Sequence, residues 1–267
     1  MKKKNMSPNE KMKLTSLPAY AICLQRKPPT TEAIQSWTRV FPQLHIARAV
    51  DAKGLDLHND SRLHALARMH LRNPDYAGET LFALPSAGAA ACALSHYALC
   101  KVAARSSTGL VVIEQDVVFD DKAVRTLQSL TLPEDGDYVS LLYIQQHDVV
   151  RVSSSTTFHR LVGPRCDGNQ CYYISPRGAR LTLKHAFPIA AQCDLMYGIL
   201  AHNLGPQQFS AYTLCERLYP LWRVFRDNLG STVQSFRVKK YLPQSNRFYL
   251  GVVLILLSLL TYMLWTL

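Results

Sequence analysis

The chain of 267 residues carries 30 Lys and Arg against 19 Asp and Glu, a formal charge of +11. The excess is local, because residues 1 to 13 hold five lysines and one glutamate, residues 217 to 247 hold seven basic residues and Asp227, and the stretch between is almost neutral. A near-neutral body offers no broad cationic track for phosphates, which argues against a nucleic-acid partner and a metal-dependent nuclease; cysteines without a Cys-x-x-Cys pair argue for neither a zinc motif nor a disulfide framework and fit free thiols in a reducing compartment.

Behind a basic tail (residues 1–17), Ala19 to Leu24 is a short apolar run ended by charge and prolines, which predicts a buried parallel strand and makes a poor signal peptide. Thr30 or Thr31 caps a helix whose apolar face is Ile34, Trp37 and Phe41, and His45 to Val50 is a second strand with Asp51 at its exit. Ser61 to Leu71, with Leu63, Leu66 and Met69, predicts a helix, and Tyr76 to Pro85 a loop. Asn59-Asp60-Ser61 is a formal glycosylation acceptor of a kind frequent by chance. Ala87 to Ala104 predicts a close-packing helix of small side chains, and Gly109 to Ile113 a central strand. Tyr138 to Tyr143 and Gln170 to Ser175 follow as strands, with helices from Pro176 to His185 and near Asp194 to His202. The order is that of an α/β fold, mostly parallel with antiparallel additions late in the chain. Residues 18–203 form the expected domain, and 204–247 either complete an acceptor side or link the domain onward.

Phe248 to Leu267 is uncharged and, as a helix of about 30 Å, long enough to span a bilayer once. Arg237, Lys239, Lys240 and Arg247 precede it and nothing basic follows, so the positive-inside rule predicts a single-pass C-terminal anchor contacting membrane lipid, with the domain on the cytoplasmic side.

The central strand leads into Glu114-Gln115-Asp116 and Asp120-Asp121. Ligands of open α/β sheets lie beyond the carboxyl ends of strands, where these acids fall. If the strand continues, Glu114 and Asp116 point to one side and can share a hard divalent cation, Mn²⁺ or Mg²⁺, that neutralises a diphosphate leaving group. Asp120 and Asp121 are expected to be ordinary strand-exit acids, one or the other capping the next helix. Cys92 and His96, at helical spacing, lack the context of a cysteine hydrolase.

Four pieces in order resemble glycosyltransferase family 25, which includes lipooligosaccharide (lipopolysaccharide biosynthesis) and collagen galactosyltransferases. They are AYAICLQRK with AVDAKGLDL, Gly88 to His96, LVVIEQDVVF, and CYYISPRGARLTL with CDLMY. The resemblance implies a GT-A like nucleotide-binding sheet, a nucleotide-sugar donor (uridine diphosphate linked), a divalent metal, and inverting transfer of a hexose to a glycan, glycolipid or glycoprotein acceptor. It places Glu114 and Asp116 at the metal and diphosphate, Ser95 and His96 at the donor, and Asp51 at the nucleotide; Asp194 is either the base for the acceptor hydroxyl or a metal contact. Two positions depart from the family pattern: its middle Asp is Gln115, expected on the opposite strand face, and the Glu after its glycine is Ala89. These departures open the alternative of a catalytically degenerate scaffold at a membrane.

Overall fold

The computed structural model describes residues 12–72, 84, 86–141, 149–152, 155, 157–164, 169–215 and 222–224. Among them the chain forms β1 (Ala19–Cys23), α1 (Thr31–Val40), β2 (Leu44–Arg48), α2 (Ala65–Arg72), α3 (Ala87–Arg105), β3 (Leu110–Glu114), β4 (Val117–Phe119), α4 (Asp121–Ser129), β5 (Tyr138–Ser140), β6 (Val149–Arg151), β7 (Phe158–Leu161), β8 (Cys171–Ile174), α5 (Pro176–His185), α6 (Cys193–Leu204), β9 (Ala211–Leu214) and β10 (Trp222–Val224). The anchor segment Phe248 to Leu267 and its basic approach lie outside the described residues, as does the expected loop from Tyr76 to Pro85 apart from Leu84.

Helix starts follow the cap residues. The side chains of Thr30, Ser86, Asp120 and Ser175 accept the backbone N–H three residues on, at 3.1, 3.2, 2.8 and 2.9 Å. Each such cap is worth about 1 kcal/mol. Asp120 is therefore a structural residue, as expected, and Asp121 pairs with Arg39 at 2.8 Å on the surface.

The fold is α/β, but the sheet is mixed rather than mostly parallel. Its order is β2-β1-β3-β8-β5-β9-β7-β6, with β4 and β10 forming a separate antiparallel pair. β1 pairs in parallel with β2 and β3, and β5 with β9; β8 is antiparallel to both β3 and β5, and β7 to both β6 and β9. The parallel reading thus holds for the first half. Short strands after residue 130, interrupted by polar residues, leave too little periodicity to set their direction.

β3 is apolar from Leu110 to Ile113, where both faces are covered. Val111 and Ile113 pack with Trp37 of α1, Phe41 just past its end, and Val124 and Leu127 of α4, whereas Leu110 and Val112 pack with Leu99, Cys100, Ala103 and Tyr197 of α3 and α6. α3 is long and apolar enough to cross a bilayer by length and composition alone, yet it packs against α5, α6, β1 and β3, as a core helix does.

Several expected details shift. Ile34, Leu66 and Met69 face outward; Trp37, Phe41 and Leu63 are buried as expected, and Ala33, Val40 and Ala67 join them. Residues assigned to the tail join the core, since Leu14 and Leu17 are buried and Lys13 bridges to Thr131. At the other end, β9 lies between β5 and β7, so the sheet continues beyond residue 203.

At Gly109 the chain turns into β3 with φ +83°, and a Cβ there would sit 2.3 Å from the carbonyl oxygen of Ile174 on the neighbouring strand. A side chain meets both an unfavourable backbone region and a rigid backbone atom. Gly109→Ala is expected to lower the unfolding free energy by more than about 2 kcal/mol in urea denaturation.

Candidate functional site

The carboxyl ends of β1, β2 and β3 open into a cleft of about 340 Å³, lined on one side by these strand exits and on the other by the first turns of α3. Small residues, Gly88 and Ala91, keep that helical wall close to the acids. Asp51, Ser95, His96, Glu114 and Asp116 all line the cleft, so the structure brings together five of the six site residues expected from sequence. The sixth, Asp194, lies in the first turn of α6, is not among the residues lining the cleft, and is near enough for its charge to raise the pKa of Asp116.

β3 ends at Glu114, and Gln115 and Asp116 form a turn before β4. Glu114 and Asp116 therefore converge on the cleft through a turn, not by the alternation of a continuing strand. Gln115 also lines the cleft rather than the opposite face. As β3 turns away, its Oε1 accepts the backbone N–H of Leu24 at 2.7 Å. Its amide thus extends the β1–β3 edge by a side-chain bond.

The six residues divide by what already holds them. Ser95 accepts the N–H of Val50 at 2.8 Å and donates to the carbonyl of Ala91 at 2.8 Å, tying the exit of β2 to α3. It is a structural clamp. His96 is fully buried, with Nδ1 2.9 Å from the Tyr172 hydroxyl and Nε2 3.1 Å from Glu114 Oε1. Both ring nitrogens are engaged within the protein, and the imidazole fixes the position of Glu114. Asp51 accepts the N–H of Lys53 at 3.1 Å and pairs with Arg26 Nε at 3.1 Å. The Lys53 backbone bond first, then the charge of Arg26, holds its carboxyl below the ordinary range.

Asp116 differs from these, because its Oδ1 is buried without a hydrogen-bond partner. Burial, then the charges of Glu114 and Asp194, push its pKa up to about 7. Asp194 is raised to about 6, by burial and then by Glu114, although His96 and hydrogen bonds from Cys193 and the Asn169 backbone oppose the shift. Burial disfavours charging of His96, but Tyr172, Cys92 and Glu114 outweigh it and hold its pKa well above the ordinary value.

Two groups were not foreseen. Arg26 and Lys27 line the cleft just past β1, and the strand-exit rule that singled out Asp51 and Glu114 applies equally to them. Cys92 and Cys193 bring their sulfurs to 3.4 Å, although 101 positions separate them and no local spacing marks the pair. With His96 and Glu114 they offer four ligand atoms within 4.8 Å of one another, a group that can hold a metal ion.

No protein-family model matches the chain, and no curated protein matches it.

The raised pKa of Asp116 carries a stability consequence. An acid raised in the fold binds its proton more tightly folded than unfolded, so stability is gained as pH falls through about 7 toward the unfolded value and is lost above it. In metal-free buffer at pH 8, Asp116→Asn is therefore expected to stabilise the chain by on the order of 2 kcal/mol. Urea denaturation at pH 8 and pH 5 checks this, with the advantage shrinking at the lower pH.

Proposed function

We propose that the chain is a membrane-anchored glycosyltransferase moving a hexose from a nucleotide-sugar donor to a glycan, glycolipid or glycoprotein acceptor with inversion. The observation that carries this reading is Asp116, whose orphaned buried oxygen sits among other carboxylates at the exit of a central strand. Such a group calls for a cation. Mutual repulsion between Asp116, Glu114 and Asp194 fits a hard divalent ion, Mn²⁺ or Mg²⁺, held by Asp116 and Glu114. When bound, that ion would neutralise the diphosphate leaving group.

The chain's own residues supply the remaining parts. Lys27 and Arg26 offer positive charge to a diphosphate in the cleft, while Asp51, beside Arg26, is placed to meet the nucleotide. Ser95 fixes the cleft's width and His96 fixes the rotamer of Glu114. Asp194 is the base in this reading. With a pKa of about 6 it is ionised at neutral pH yet basic enough to take a proton from an acceptor hydroxyl. The resemblance to glycosyltransferase family 25, with its GT-A like fold, supports the same assignment. Anchoring by Phe248 to Leu267 would hold the domain on the cytoplasmic face and raise the effective concentration of a membrane-borne acceptor.

One observation favours a non-catalytic binding scaffold instead. Glu114 is already engaged by His96 at 3.1 Å and approached by the Cys92 thiol at 3.9 Å. A scaffold would bind donor without releasing nucleotide.

Full-length protein incubated with a panel of nucleotide sugars, with Mn²⁺ or chelator, is expected to release nucleotide from one donor only when metal is present. Asp116→Asn should lower that release by more than about 100-fold. Donor binding without release would support the scaffold, and neither binding nor release from folded protein would sink both readings.

A second expectation concerns Asp194. A base with pKa about 6 makes kcat climb between pH 5 and pH 7. Asp194→Asn should remove that limb and reduce kcat by roughly 100- to 10,000-fold; a variant retaining both rate and profile would show that Asp194 is not the base.

A further inference from the structure

We propose that Cys92, Cys193, His96 and Glu114 form a binding site for a soft divalent ion, Zn²⁺, at the inner end of the cleft. The site shares Glu114 with the hard-cation position at Asp116 but differs from it in its sulfur and nitrogen donors, and its readout is the bound metal, so its test is read independently of glycosyl transfer.

Three elements supply the ligands. Cys92 and His96 are four residues apart on α3 and share one helical face. Cys193 is the first residue of α6, and Glu114 the last of β3. A tetrahedral zinc with bonds of about 2.0–2.3 Å places its ligand atoms about 3.3–3.8 Å apart. Here Nε2 of His96 is 3.1 Å and Sγ of Cys92 is 3.9 Å from Glu114 Oε1, the two sulfurs are 3.4 Å apart, and no pair exceeds 4.8 Å. Adjustments of a few tenths of an ångström at these three contacts, and a larger inward movement at the longest pair, complete the polyhedron.

The surroundings are those of a prepared ligand set. Nδ1 of His96 meets the Tyr172 hydroxyl at 2.9 Å, the kind of outer contact that orients a metal-bound imidazole through its other nitrogen. Tyr172 is itself buried and in contact with the Tyr197 hydroxyl at 3.3 Å, so the imidazole ring has little freedom to turn. Asn169 donates from its amide to the carbonyl of Cys193, and its own carbonyl accepts from Tyr138 at 2.6 Å, which fixes the start of α6.

Donor chemistry decides the ion. Two sulfurs and an imidazole select Zn²⁺ over Mg²⁺ or Mn²⁺, which prefer oxygen. Binding displaces one proton from each thiol and, where the imidazole is charged, the Nε2 proton of His96, which leave to solvent as the ion enters. The same sulfurs could instead join as a disulfide, and that is the competing state the test must separate.

The experiment titrates full-length protein, purified metal-free in a phosphine reductant, with Co²⁺ and then Zn²⁺. The expected result is thiolate-to-cobalt charge-transfer absorption with tetrahedral d–d bands, saturating at one ion per chain and bleached by Zn²⁺. Cys92→Ser and Cys193→Ser should each weaken binding by more than about 100-fold, and Tyr172→Phe, which leaves every ligand in place, by about 10- to 100-fold. Wild-type spectra without thiolate bands would overturn the proposal whether or not the variants fold. So would bands that persist in a folded serine variant, or a wild-type chain that forms the Cys92–Cys193 disulfide in air and binds no cobalt once reduced.

Discussion

Beyond the end of β3, negative charge is packed where water is scarce. Burial raises the pKa of both Asp116 and Asp194, and the charge of Glu114 lies close enough to raise it further. A lone buried carboxylate costs several kcal/mol unless it is paired or neutralised. His96 supplies that pairing for Glu114, and the rest of the site follows from where His96 is held. Its two nitrogens face Tyr172 and Glu114, so it links the buried tyrosine layer to the cleft.

The sheet topology makes this junction possible. β1, β2 and β3 run in parallel and deliver Arg26, Asp51 and Glu114 to the same edge. An entirely parallel sheet would bring only strand exits to that edge. β8 runs the other way, so its entry lies there instead, and the N–H of Glu114 donates to the carbonyl of Gln170 at 2.7 Å. Antiparallel pairing sets Tyr172 opposite Val112, on the sheet face covered by α3, where its hydroxyl meets His96. This late antiparallel strand, of the kind the sequence order allowed, carries the residue that gives His96 its inner partner.

The legible and illegible parts of the molecule divide on physical lines. Continuous apolar runs and caps revealed β1, β3, α3 and α5, because burial and backbone satisfaction act locally; Pro176 to His185 is reproduced residue for residue. The acids at strand exits were legible for the same reason, since the end of a buried strand is marked by the residue types that leave it. The Cys92–Cys193 approach was not, because its two ends are brought together by packing of α3 against α6. Nor was the engagement of Ser95 and His96, whose side chains are equally suited to ligand or protein partners until those partners are placed. Short strands such as β9 escaped notice because four residues carry too little pattern to separate strand from loop.

Depth separates the two kinds of ligand chemistry in the cleft. Cys193 and His96 are buried, while Glu114 and Asp116 are half-buried at the strand exit. Two of the three nitrogen and sulfur donors thus lie inward, with Cys92 half-buried on the helical wall of the cleft, and the orphaned carboxylate oxygen lies toward the turn. Cys92 and His96 both contact Oε1 of Glu114, so one oxygen faces the deep group and the other remains for the cleft. Glu114 is in this way the shared wall between the two environments. Any ion drawn to the sulfurs reduces the repulsion that Asp116 and Asp194 feel from Glu114, and any ion drawn to Asp116 makes Glu114 a weaker partner for His96. The two positions are therefore coupled through one carboxylate, without requiring movement of the sheet that carries it.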